Sequence, residues 1–110
     1  SSEPVTATEL QQSDLGWAVK QLPPGFAQVT VMKRTMPGKG VPVKHLVFSD
    51  GLAMVSVFIE PVATEIKPVQ SVFRQGAVHV YTRTVADHQI TVLGEVPAIT
   101  VMQIANSVSK

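Results

Sequence analysis

Hydrophobic residues in the middle of the chain alternate with the period-two pattern of β-strands. Two runs rich in β-branched and aromatic residues, Val43–Ser49 and Leu52–Ile59, flank the dipeptide Asp50-Gly51. Asp-Gly between such runs is a strong hairpin signal, because a type I′ turn requires positive φ at both central residues. The sequence therefore predicts a β-hairpin that turns at Asp50-Gly51.

This hairpin is expected to be apolar on both of its faces. One face carries Leu46, Phe48, Ala53, Val55, Val57 and Ile59, and the other carries Val43, Val47, Met54 and Phe58, interrupted by His45 and Ser56. A sheet with two apolar faces must be covered on both. The pattern therefore predicts a domain that docks against something.

Further strands are predicted before and after the hairpin. Trp17-Ala18-Val19 is a short strand, and Gln28–Thr35 is a longer one. A second hairpin joins Ala77–Thr84 to Gln89–Leu93. The intervening residues 62–76 stay ambiguous, because Pro68 interrupts any continuous helix there.

The loop of the second hairpin decides which of its side chains share a face, since a one-residue shift exchanges the faces. A three-residue loop, Ala86-Asp87-His88, groups four apolar residues, Val78, Val80, Ile90 and Val92. A two-residue loop, Ala86-Asp87, mixes them with Tyr81 and Arg83. The apolar grouping favours the three-residue loop.

The C-terminal residues have the clearest helical pattern. Apolar residues recur there at the spacing of one buried helical stripe, Val101, Ile104, Ala105 and Val108, which Ile99 and Met102 widen. Pro97 suits the first helical position, and Glu95 places negative charge near the positive end of the helix dipole. We expect an α+β fold, with an antiparallel sheet of about five to six strands and one C-terminal helix, residues 97–109, packed on one face.

Composition narrows the class of protein. The chain has 110 residues, no cysteine and a net charge of only +1, so one domain without disulfides is expected and nucleic acid is not a predicted partner. No run approaches the roughly 20 apolar residues of a membrane span. The polar residues 1–14 are predicted to be a linker, with at most one helical turn over Ala7–Gln12.

The sequence offers little for catalysis. Three histidines, His45, His79 and His88, lack metal-ligand spacing, and Ser49 lacks the context of a nucleophile elbow. The carboxylates Glu60, Glu65 and Glu95 show no pairing. We therefore predict no catalytic residue, no metal site, no cofactor and no enzymatic activity.

Candidate binding residues are more evident. His79, Tyr81 and Arg83 are expected to project together, and Arg74 to join them from the preceding loop. They form either an ordinary polar sheet face or a partner-binding row, since Tyr and Arg are enriched at interface hot spots. Lys33, Arg34, Lys39 and Lys44 surround the loop Pro37-Gly38-Lys39-Gly40. They form either a solvated hairpin end or, through Lys39 and Lys44, a contact for an acidic peptide or a lipid phosphate.

Trp17 and Phe26 are expected to form a small satellite core.

Three blocks of sequence, in order, cover most of the chain from Trp17 onward. They are Trp17 with residues 22–26, residues 47–52 continuing to 58–61, and residues 90–97 followed by 104–108. They resemble the C-terminal domain of the RseB/MucB family of periplasmic regulators, which act with a membrane-spanning anti-sigma factor in the envelope stress response. The blocks Ser49-Asp50-Gly51-Leu52 and Gly94-Glu95-Val96-Pro97 resemble the MucB branch, which controls alginate production.

The resemblance implies a periplasmic domain, residues 15–110, that follows an absent N-terminal lipid-sensing domain, with residues 1–14 as the linker. It implies a negative regulator that binds the periplasmic segment of the anti-sigma factor and protects it from regulated proteolysis, with lipopolysaccharide among the relieving signals. Two alternatives are a lipid-binding module and a purely structural domain that packs on its N-terminal neighbour. If Tyr81 or Arg83 binds the peptide, replacing either with alanine should weaken capture of the anti-sigma segment and leave thermal stability nearly intact.

Overall fold

The described part of the chain forms a large antiparallel sheet with one helix against it. This computed structural model describes residues 6–9, 15–35, 41–63, 67 and 70–110. Its elements are β1 Thr6–Glu9, β2 Ala18–Val19, β3 Ala27–Thr35, β4 Pro42–Ser49, β5 Met54–Pro61, β6 Gln70–Gln75, β7 Val78–Val85, β8 His88–Gly94, α1 Ala98–Asn106 and β9 Val108–Ser109.

Within the described residues, the main sheet has seven strands in the order β1-β3-β4-β5-β8-β7-β6, and β2 pairs with β9 in a separate two-stranded sheet. The α+β class and the single C-terminal helix on one sheet face are confirmed. The sheet exceeds the expected five to six strands because β1 and β6 were not predicted as strands. The alternative of one helical turn over Ala7–Gln12 is wrong for Ala7–Glu9, which pair with β3, and its residues 10–12 lie outside the described residues. The assignment of residues 1–14 as a linker stays a prediction.

The β4–β5 hairpin and its two faces are confirmed, but its turn is not the predicted two-residue one. Ser49 lies opposite Met54, so the loop has four residues. The Asp50 carboxylate closes it by accepting hydrogen bonds from the Leu52 and Ala53 backbone N–H groups at 2.9 and 2.8 Å. These bonds, that of Ala53 first, hold the pKa of the Asp50 carboxyl below its usual value. The faces survive because a shift of two residues preserves their parity.

The β7–β8 hairpin contradicts the predicted three-residue loop. Val85 lies opposite His88, which leaves a two-residue turn whose residues Ala86 and Asp87 have φ of 49° and 59°. Positive φ at both positions is the type I′ geometry, whose twist matches that of the flanking strands. Tyr81 therefore lies opposite Val92. The face that forms combines Tyr81 and Arg83 with Ile90 and Val92, which is the arrangement that the sequence pattern disfavoured.

The helix is shorter than expected. It begins at Ala98 after Pro97, which is the N-cap and not the first helical residue, and it ends at Asn106. Val101, Ile104 and Ala105 are buried as predicted. Val108, predicted on the same helical stripe, is buried as part of β9, and Ile99 is exposed where it was expected to widen the stripe.

The core lies between α1 and one face of the sheet. Its buried members are Leu15, Trp17, Val31, Leu46, Phe48, Val55, Val57, Ile59, Tyr81, Ile90, Val92, Val101, Ile104, Ala105 and Val108. Phe26 packs against this cluster. The expected satellite core of Trp17 and Phe26 is thus wrong, because both residues join the main core.

The segment that precedes β3 is attached to the end of the helix. The Lys20 backbone N–H donates to the Ser107 carbonyl at 3.1 Å, and the Ser107 hydroxyl lies 3.2 Å from the Gln21 carbonyl and 2.8 Å from that of Ile104. Lys110 places its ammonium 5.9 Å from the centroid of the Trp17 ring. The two ends of the described fold from Leu15 to Lys110 therefore meet beside the helix.

Candidate partner-binding surface

The four residues predicted as a partner-binding row do share one face, but it is the face that the helix covers. Cross-strand pairing places Arg74 opposite His79 and Val72 opposite Tyr81. Arg74 lies in strand β6 and not in a loop as expected. The Tyr81 side chain is only 2% exposed, so it presents no surface to a partner.

Polar atoms of this row hold the helix and the β8–α1 connection in place. The Tyr81 hydroxyl accepts a hydrogen bond from Gln70 Nε2 at 2.6 Å and lies 3.4 Å from Asn106 Oδ1. Arg83 Nη1 donates to the Ala105 carbonyl at 3.3 Å, where a cation also suits the negative end of the helix. His79 Nδ1 lies 2.8 Å from the Val96 carbonyl. Whether any of these residues binds a partner stays a prediction.

Arg74 differs from the rest of the row because its side chain is exposed. Among the described residues no carboxylate pairs with it. It is therefore the one member of the predicted row that the fold leaves accessible and uncommitted.

The opposite face of the sheet has no helix among the described elements. We call it the open face; its apolar members include Met32, Val43, Val47, Met54, Phe58, Phe73, Val78, Val80 and Leu93. Val43, Val47 and Val80 are buried, while Met54 and Phe73 are exposed. The surplus apolar face expected from the sequence is confirmed, but Trp17 does not help to cover it, because Trp17 lies in the core on the helix side.

An open depression of about 430 Å³ marks the end of this face where β8 leaves the sheet. Leu93, Met54 and Val78 are among its lining residues, with Leu52 and Glu95 at the same site. Leu52 is 97% exposed. The depression has the size range of small-ligand sites, but it is open and apolar with a single carboxylate, so it suits an apolar side chain of a protein partner.

His45 lies on the open face in a setting that disfavours its charge. Its ring stacks on Phe58 with centroids 4.2 Å apart, and its Nδ1 accepts a hydrogen bond from Arg34 Nε at 3.0 Å. Burial first, and Arg34 second, lowers the pKa of His45. The bond to Nδ1 places the proton of the neutral ring on Nε2, which is buried and without a partner.

The predicted basic cluster is distributed differently from the expectation. Lys44 Nζ donates to the Leu15 carbonyl at 2.6 Å, and Lys33 lies opposite Lys44 across the β3–β4 pair. Burial first, then Lys110 and Lys33, lowers the pKa of the Lys44 amine. Lys39 and its loop lie outside the described residues. The cations that lie close together are therefore Lys33, Lys44 and Lys110, on the helix side of the sheet.

In the part of the chain that the structure describes, no group of three or more His, Cys, Asp or Glu residues could hold a metal ion. No helix in the same residues is both long and apolar enough to cross a membrane. The candidate surfaces of the described residues are the open face, the exposed strand β6 at its edge, and the lysine cluster.

Comparison with known proteins identifies the fold. A profile of the MucB/RseB C-terminal domain matches residues 11–109. The chain belongs to this family. One member, the "Sigma factor AlgU regulatory protein MucB" of Pseudomonas aeruginosa, is 34% identical over 100 residues, which are 88% of this chain and 32% of that protein. The family resemblance seen in the sequence is thus confirmed.

Two solved structures of a MucB complex are similar to this fold. They are MucB in complex with MucA(peri) and the Pseudomonas aeruginosa MucA/MucB complex. Each has a TM-score of 0.77 and 33% identity, covers 86% of this chain, and covers 36% and 35% of the other chain, respectively. The chain therefore spans about a third of the length of the relatives it matches.

We expect Tyr81→Ala to lower the free energy of unfolding by roughly 3–5 kcal/mol, because it removes a buried aromatic ring from beneath the helix. Tyr81→Phe keeps the ring and loses the hydroxyl contacts, which costs about 1 kcal/mol. Urea denaturation measures both. Arg74→Ala, at an exposed position of the same face, is the control and should change stability by less than about 0.5 kcal/mol. Unchanged stability of Tyr81→Ala, as the sequence suggested, would show that the ring is not buried.

We expect His45 to make stability depend on pH below neutrality. Its folded pKa lies below the ordinary value, so as pH falls through about 6.5 the unfolded chain takes up a proton that the folded chain does not. The contribution of His45 to the free energy of unfolding is fully present above about pH 6.5 and is lost as pH falls towards the folded pKa. In denaturation at about pH 8 and about pH 5, His45→Gln should lose less stability than the parent chain. Equal losses in the two proteins would contradict this.

Proposed function

We propose that this chain is a periplasmic, non-enzymatic regulatory domain that binds the periplasmic segment of a transmembrane anti-sigma factor. In this role it helps to protect the segment from regulated proteolysis and so restrains the envelope stress or alginate response. The observation that carries the proposal is the similarity of the fold, over 86% of the chain, to MucB in complex with MucA(peri). The name of the Pseudomonas relative, a sigma factor regulatory protein, supports the same role.

The geometry supports recognition through apolar surface and backbone more than through charged side chains. The polar residues Tyr81 and Arg83 are engaged with the helix, whereas the open face presents Met54 and Phe73 to solvent. Contiguous exposed apolar residues rimmed by polar ones mark interaction surfaces. A second candidate for the same face is a neighbouring domain of the kind that the sequence resemblance implies, and packing against it would make this a purely structural unit.

Titration of the 110-residue chain with MucA(peri) tests the proposal. We expect saturable binding with a negative heat-capacity change, because apolar surface becomes buried. Met54→Ser on the open face should weaken binding, and Ile99→Ser on the exposed side of the helix is the matched control that should not. Absence of binding at about 100 μM, which corresponds to a free energy weaker than roughly 5.5 kcal/mol, would count against this function and favour the purely structural domain.

The lysine cluster favours a second candidate, a lipid- or lipopolysaccharide-binding module. The positive charges of Lys110 and Lys33 lower the pKa of Lys44, and Lys110 lies beside Trp17; a compact set of cations attracts lipid phosphate. This function predicts retention on vesicles that contain anionic lipid, and loss of retention at high salt. Lys33→Gln with Lys110→Gln should abolish it, while Lys20→Gln serves as the control. Retention on neutral vesicles but not on anionic ones would contradict the lipid-binding function.

A further inference from the structure

We propose that the free edge of β6 is the site at which the protein partner docks, by adding an extended segment to the sheet as an eighth strand. The inference rests on the proposed function and deepens it by assigning the surface, the backbone conformation and the side-chain pattern of the bound segment. We call this surface the open edge; it consists of the outward side of residues Gln70–Gln75.

The open edge is long and accessible. Strand β6 ends the sheet, and β7 is its one strand neighbour in the described fold. All six of its residues are exposed. A six-residue strand offers three residues whose backbone groups point away from the sheet, which is enough for the alternating hydrogen-bond pattern of a peptide that adds to the edge.

The turn before β7 shows which backbone groups point outward. Gln75 lies opposite Val78, so Gly76 and Ala77 form a two-residue turn, and φ of 61° at Gly76 suits such a hairpin turn. The pair that flanks a two-residue turn is hydrogen-bonded, and pairs alternate from there. The N–H and C=O groups of Arg74, Val72 and Gln70 therefore face outward, unused by β7.

The open edge carries a single charged residue, Arg74, and few of the other features with which proteins protect an edge from a further strand. Between Gln70 and Gln75 there is no proline, no lysine and no acidic residue, and such residues are the usual means of blocking edge pairing. Val72 and Phe73, on opposite faces of the strand, are 47% and 52% exposed. Exposed apolar side chains on both faces of an unpaired strand favour a docked strand over solvent.

Side chains beside the edge define the chemistry of the segment. On the open face Phe73 continues a cross-strand row through Val80 to Leu93, so an apolar residue of the segment would pack there. On the helix side Arg74 has no described carboxylate partner, so an acidic residue opposite it is favoured. The bound segment is thus extended, with an apolar residue on one face and an Asp or Glu on the other.

A proline substitution provides a sharp test. Val72→Pro removes one outward N–H and leaves the hydrogen bonds to β7, which is the placement that edge strands tolerate. Val72→Ala removes most of the side chain but keeps the N–H, so it is the matched control. With MucA(peri) as the probe, we expect Val72→Pro to weaken binding at least tenfold and Val72→Ala to weaken it by no more than about threefold.

A second measurement covers the case in which Val72→Pro does not fold. Overlapping synthetic peptides of MucA(peri) locate the bound segment, and N-methylation of its residues one at a time then removes single backbone donors. Binding should fall at every second residue, because alternate N–H groups face the edge. In addition, Arg74→Glu should weaken binding of the located peptide, and replacing the acidic residue of the peptide with lysine should restore it.

The outcomes separate this inference from the proposed function. Equal binding of MucA(peri) to the parent chain and to folded Val72→Pro would overturn the edge site while leaving the function intact. N-methylation that acts without period two would overturn the extended conformation. No binding of MucA(peri) to the parent chain would overturn both. If the parent chain is a dimer and Val72→Pro is a monomer by sedimentation, the edge is occupied by a second copy and the assigned partner is wrong.

Discussion

The register of the β7–β8 hairpin is the constraint on which the rest of the structure depends, because it decides which side chains the helix covers. Positive φ at Ala86 and Asp87 closes the turn in two residues and puts Tyr81 across from Val92. A one-residue change of the loop would carry Tyr81 and Arg83 to the other face. The helix would then lose its contacts at Ala105 and Asn106. The same turn decides which side chains of β7 lie on the open face.

The helix position in turn fixes where the two ends of the domain meet. After Asn106 the chain continues as β9, which pairs with β2, and Ser107 links the end of the helix to the segment around Gln21. Trp17 enters the core from this segment on the helix side. The described apolar residues between Leu15 and Phe26 that pack in or against the core therefore lie on the covered face and not on the open face.

Sequence patterns predicted those features that depend on periodicity alone. The faces of the β4–β5 hairpin were predictable because parity survives a shift of two residues, whereas its register depends on the Asp50 carboxylate, which closes a four-residue loop. The Ala86-Asp87 turn was missed because the grouping of apolar residues favoured a three-residue loop, and alanine gives no sequence signal of the positive φ that it adopts here. Strand β6 was missed because an edge strand exposed on both faces has no alternation to detect. The helix was predicted to extend past Val108 because this residue fits the helical spacing. It lies in β9 instead, where it is also buried.

The predicted binding row shows that residue type alone does not separate a binding role from a structural one. Tyr and Arg combine contact area with directional hydrogen bonds, and these properties serve the attachment of a helix as well as they serve a partner. Because the described fold engages Tyr81 and Arg83 with the helix, the proposed recognition rests on the backbone of β6, Arg74 and the apolar open face. Backbone pairing supplies affinity with little dependence on side-chain identity, and alternate side chains supply specificity. The proposed edge mode requires only that the edge stays unpaired, so it is compatible with the 34% identity between this chain and the Pseudomonas relative.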